Sequence, residues 1–182
     1  VRRDRAAKLN RRKRRSQLIL IGVIAAIAVG IAYGVLSYSS SPPRTANFGA
    51  VGSTHEHAAF RLFINNQAID FSQPKYQLKS QYIHFEGGDG DTIHKHATNV
   101  DIGFLFETMG MKLTKDCFTM DDGKAYCNDD NTLKFYVNGV ANEMYDKYVL
   151  KDNDRILVSY GPQDFERLGE QIKAVDSLLI KR

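Results

Sequence analysis

The sequence has only two cysteines, Cys117 and Cys127, and they do not form a Cys-x-x-Cys pair. Dithiol catalysis depends on a close-spaced pair with a lowered thiol pKa, so that chemistry has no seat here. There is no phosphate loop, dinucleotide fingerprint, Gly-x-Ser-x-Gly elbow or His-Glu-x-x-His helix. The run Gly87-Gly88-Asp89-Gly90-Asp91 lacks the Lys of a phosphate cradle and the length and terminal Glu of a calcium loop, and it reads as a hairpin loop. No Asn-x-Ser/Thr sequon occurs, and no repeat of solenoid period. Past residue 15 there is no basic stripe with interleaved aromatics, which excludes nucleic-acid binding as the main role.

The formal charge of +4 is unevenly spread. Residues 1–15 hold seven Arg, two Lys and one Asp, a net of +8, which leaves −4 for the rest of the chain. The stretch 18–36, LILIGVIAAIAVGIAYGVL, contains no charged residue. A helix crossing the hydrocarbon core of a bilayer needs about 20 such residues. A cleaved signal peptide is the competing reading, but its apolar core is only about 7–15 residues long and ends in a small-x-small site. The expectation is a basic cytoplasmic tail over 1–15 and a membrane helix over 16–38. The positive-inside rule then places everything after it outside. Tyr33 and Tyr38 fall at the outer end, where amphipathic rings favour the interface. Residues 39–53, rich in Ser, Pro and Gly, read as a linker.

A domain is expected over 54–161, of class α+β. Strand patterns at 57–64 and 67–71 flank the turn Asn65-Asn66, and those at 81–86 and 92–97 flank the glycine-rich loop. Residues 100–113 show helical spacing, with Asn99 or Asp101 available as cap. Strands at 133–137, 148–150 and 155–160 follow, with Asn138-Gly139 as a hairpin turn and Lys134 on a solvated face. The apolar spacing after Pro162 predicts a closing amphipathic helix over 162–182. Two hairpins, a helix and two more strands make a β-grasp-like arrangement, a likeness of fold that implies no function. Outside a membrane disulfides persist, so Cys117 and Cys127 read as a local staple, with zinc ligation as the weaker alternative.

All five histidines lie between positions 55 and 96. His55 and His57 are two apart, as are His94 and His96, and side chains two apart on a strand share a face. If 87–91 is the hairpin loop, His84 lies opposite His94 and Tyr82 opposite His96. Three imidazoles then converge, and His55 and His57 join them if the first strand lies alongside. A set of imidazoles without thiolate favours Cu(II) or zinc over Cu(I). The bland alternative is a solvated strand face with a hydrogen-bonded core histidine.

The segments HEHAAFRLFINN, YIHFEGGDGDTIHKHATNV, LKFYVNG and LKDNDRILVSYG resemble a family of membrane-anchored, extracytoplasmic His-rich domains of ammonia-oxidising archaea, over residues 54–161. Some members carry the label protein disulfide isomerase; the missing Cys-x-x-Cys sets this chain apart from that activity. It also lacks the Cys that relatives have near the second His-x-His. The resemblance implies a metal-linked surface role in a copper-dependent physiology. Two function classes follow. One is a module that binds copper or zinc, alone or as an accessory subunit of a membrane metalloenzyme such as a copper monooxygenase. The other is a structural or interaction domain at the cell surface with incidental histidines. A true metalloenzyme is the third and weakest, with Glu56 and Glu86 as the acid–base candidates.

Overall fold

A computed structural model describes residues 2–39, 44–129, 131–162 and 164–182. Residues 40–43 of the expected linker lie outside the described residues, as do the side chains of 1–13 and 35–39, Tyr38 among them. The chain divides into two units, Val1–Ala46 and Asn47–Arg182.

The first unit is dominated by α1 (Arg2–Ser39). Its stretch Arg14–Gly34 is 21 residues long with a mean hydropathy of 2.2. At about 1.5 Å rise per residue this is roughly the hydrocarbon thickness of a bilayer. Its described side chains are all exposed, Leu18 at 69% and Val29 at 68% among them. Among the described residues it is the one helix long and apolar enough to span a membrane. A short 3₁₀ turn, Arg44–Asn47, follows.

The second unit is α+β. Its strands are β1 (Glu56–Ile64), β2 (Gln67–Ala68), β3 (Ile83–His84), β4 (Thr92–Lys95), β5 (Lys112–Leu113), β6 (Cys117–Thr119), β7 (Ala125–Cys127), β8 (Thr132–Val137), β9 (Val140–Ala141) and β10 (Arg155–Gly161). The main sheet runs β3-β4-β1-β10-β8-β9, with β2 also on β1. Two strands share one edge of β1: β4 pairs with 56–59 and β2 with 63–64. Along the other edge β1 pairs parallel with β10, from Ala59↔Arg155 to Ile64↔Tyr160. Asn65 and Asn66 close the first hairpin and Asn138 and Gly139 the last, all four with positive φ. That is the backbone a two-residue turn between twisted strands requires.

Strand alternation sorts the sheet into two faces. Ala58, Phe60, Leu62 and Ile64 of β1 join Ile83, Ile93, Phe135, Ile156 and Val158 in the main core. Helix α2 (Ile102–Thr108) closes that core with Ile102, Leu105 and Phe106, and the Asp101 carboxylate accepts from Phe104 N as N-cap. On the opposite face Ala59 and Leu157 pack under Leu168 and Val175 of α3 (Phe165–Asp176). This compact unit takes in Phe48, whose ring packs edge-on against Tyr82 and Phe104, six residues before Thr54.

Several elements differ from expectation. The helix expected over 100–113 stops at Thr108, because Gly110 turns the chain with φ +76° and Leu113 enters β5. The strand expected at 148–150 is irregular chain that follows a 3₁₀ turn, Tyr145–Lys147. The last helix is shorter than 162–182: Asp164 caps it through Glu166 N and Arg167 N, and Phe165 and Leu179 are exposed. Lys134 is buried, not solvated, and its ammonium donates to the Thr132 and Gly161 carbonyls. Strands β5, β6 and β7 form a separate small sheet in which Cys117 and Cys127 are directly opposed and disulfide-bonded, with Cα atoms 4.1 Å apart.

Candidate metal centre

The sheet register places the histidines. His84 of β3 lies opposite His94 of β4, and His94 lies opposite His57 of β1, so three imidazoles cross three neighbouring strands in one row. His55 and His96 continue the same face by the period of two. This is the face that α3 covers further along β1 and β10, since His57 and Ala59 share it. Its other side carries Glu56 and Lys95, opposed and ion-paired.

The five rings form a closed circuit. Centroid separations are 4.7 Å for His55–His57, 4.7 Å for His57–His94, 6.0 Å for His94–His84, 5.0 Å for His84–His96 and 4.8 Å for His96–His55. Within it, one ligand nitrogen each from His55, His57 and His94 lie within 4.8 Å of one another. His57, His84 and His94 are buried, His96 is half-buried and His55 is exposed, so the circuit opens to solvent at His55.

The backbone around the rings is held by loops from several parts of the chain. His57 N donates to Asp152 Oδ1 (3.0 Å), and the His57 carbonyl accepts from Asn153 N (2.8 Å). His96 N donates to the Tyr82 carbonyl (2.8 Å), and the His96 carbonyl accepts from Gly52 N (2.6 Å), where φ is +87°. His84 Nδ1 donates to the Ser80 carbonyl at 2.6 Å. A carbonyl can only accept, so this contact fixes the tautomer and leaves Nε2 as the ligand atom. Asp152 Oδ1 stands 3.9 Å from His57 Nδ1, and Arg182 binds the other oxygen of that carboxylate.

Glu86 is the carboxylate of the site. Its Oε2 lies 3.2 Å from His84 Nε2 and its Oε1 3.5 Å from His94 Nδ1. Glu56, the other acid–base candidate, sits across the sheet with Lys95 and has no access to the rings.

The electrostatics favour neutral rings at His57, His94 and His96. Burial pushes His94 below the ordinary histidine range, against the pull of Glu86. Burial lowers His57, helped by His55 and opposed by Asp152, and burial also lowers His96, helped by His84 and His55. Burial alone would raise Glu86, but its close contacts with the His84 and His94 rings outweigh it and hold the carboxyl below its ordinary value. Neutral imidazoles beside an ionised carboxylate are the protonation states that metal ligation requires.

All five histidines therefore gather on one face. Asp152 and Ser80, which orient two of them, were not foreseen. Asp152 reaches His57 through the fold of the β10 end of the chain, and Ser80 acts through its backbone, which no residue pattern announces. No protein-family model, curated protein or solved structure matches the chain.

Proposed function

We propose that this chain is a membrane-anchored metal-binding module whose histidine circuit takes copper or zinc. The observation that carries the reading is the closed set of five imidazoles, three of them buried, with Glu86 against two of them. An incidental solvated face would not bury His57, His84 and His94 while holding their rings side by side. Nitrogen and carboxylate donors without thiolate suit Cu(II) and Zn(II). Nitrogens around zinc at about 2.0–2.1 Å lie roughly 3.3 Å apart, so the 4.8 Å triad closes by small ring rotations.

The apolar helix gives the anchor, and the +8 tail before it argues that the domain lies outside. Kinship with the His-rich archaeal domains and a β-grasp-like fold belong to the same proposal, supported by the quoted segments and by the parallel β1–β10 pair at the centre of the sheet. A role as accessory subunit of a membrane metalloenzyme, such as a copper monooxygenase, fits an anchored module that holds metal beside a bilayer. Elemental analysis of the natively expressed full chain tests the metal: copper or zinc co-purifying in stoichiometric amount supports the reading, and metal-free protein from metal-replete cells contradicts it. Protease added to intact cells tests the orientation, which predicts a degraded domain and a spared tail.

A further inference from the structure

The circuit has more ligands than one ion takes. Five imidazoles and one carboxylate offer six donor groups, whereas zinc in proteins is almost always held by about four ligands, or by three plus water. The ligand-atom geometry singles out one triad and leaves three donors over. His55, His57 and His94 are linked by the two shortest edges, 4.7 Å each, and bring their ligand nitrogens within 4.8 Å of one another. His84 and His96 form the remaining pair, at 5.0 Å. The widest edge of the circuit, His84–His94 at 6.0 Å, lies between the two groups on one side, and His96–His55 at 4.8 Å joins them on the other.

Each set has its own carboxylate. Asp152 stands behind His57 of the first, at 3.9 Å from Nδ1. Glu86 stands directly against the second, 3.2 Å from His84 Nε2. With Nδ1 committed to the Ser80 carbonyl, Nε2 is the ring atom that faces the Glu86 carboxylate, 3.2 Å from Oε2. That is close to the separation of two ligands on one tetrahedral zinc with bonds of about 2.0–2.1 Å. A divalent cation can be ligated by both atoms, and His96 supplies the third donor.

We propose, on the footing of the metal-binding reading above, that the circuit holds two metal ions: one on His55, His57 and His94, and a second on His84, His96 and Glu86. Each ion then has three protein ligands and a coordination position left for water or a small anion. His94 adjoins both sets, since its Nδ1 is also 3.5 Å from Glu86.

The test is the number of zinc ions bound by the chelator-treated full chain in detergent micelles, read by calorimetric titration and by elemental analysis after gel filtration. Wild type binds two equivalents per chain. His84→Ala with Glu86→Gln binds one, and His55→Ala with His57→Ala binds one. Glu86→Gln alone keeps every imidazole and changes a half-exposed side chain, so it leaves folding intact; it weakens the second equivalent about 10–100-fold and spares the first. A single equivalent in wild type overturns the second site and leaves the proposed function standing. Unchanged stoichiometry and affinity in the Glu86 variant also overturns it, and no binding by wild type overturns both.

Discussion

Glu56 and Lys95 face each other across β1 and β4 and form an ion pair on the sheet face opposite the histidines. Lys95 is almost fully buried and also donates to the Leu150 carbonyl at 2.6 Å. The pair pins a register on which the metal centre depends. A slip of one residue between these strands would send His57 to the core side and leave His94 without its neighbour.

Removing one partner of a buried pair leaves the other charge uncompensated. Glu56→Gln is expected to destabilise the domain by about 3 kcal/mol, since it leaves the Lys95 ammonium with one carbonyl. Glu56→Leu combined with Lys95→Met should recover most of that loss, because well-packed apolar replacements avoid the desolvation cost. Denaturant titration of both variants, followed by near-ultraviolet circular dichroism, measures the difference.

The Cys117–Cys127 bond closes a hairpin in the small sheet, on elements that carry none of the histidines. A loop of this length is expected to contribute about 2–3 kcal/mol. The double Cys→Ser variant should therefore lose about that much stability and bind metal as wild type does. Mass spectrometry of the unreduced chain should show linked thiols; free alkylation of both in natively exported protein would contradict the bond.

Much of this was legible before the structure. Asn65-Asn66 and Asn138-Gly139 mark their turns because each needs positive φ, and Asn and Gly tolerate it. The glycine-rich loop fixes the β3–β4 register, which put His84 opposite His94 from sequence alone. Pairing of β4 with β1 was not legible, since it joins strands about 35 residues apart whose order depends on the whole sheet. The small sheet escaped notice because its strands are two or three residues long, too short to show alternation. Helix α2 is overrun by the pattern because Leu113 keeps helical spacing with Met109 although Gly110 between them has turned the chain; both are buried, but from the helix C-cap and a strand.

The metal-free domain should weaken in mild acid. The unfolded chain takes up protons at the ordinary histidine pKa near 6.5, while His57, His94 and His96 in the folded domain resist until lower pH. The unfolded state then binds more protons, so stability rises with pH through this window and is lost as pH falls below about 6.5. Thermal melts of chelator-treated protein at about pH 7.5 and pH 5.5 should show the lower midpoint in acid. Zinc should raise the midpoint strongly at the higher pH and little at the lower, because protonated imidazoles cannot ligate.

Whether the histidine circuit holds metal is read by isothermal titration of the chelator-treated full chain with Zn(II) and Cu(II). Wild type should bind more tightly than about 1 μM. His94→Ala with His96→Ala, which takes one ring from each set of ligands, should abolish it, while Lys112→Ala on the exposed side of β5 should leave it unchanged. Equal affinity in the double variant and the wild type, or wild-type binding weaker than about 1 μM, would mean that the histidines are not a metal site.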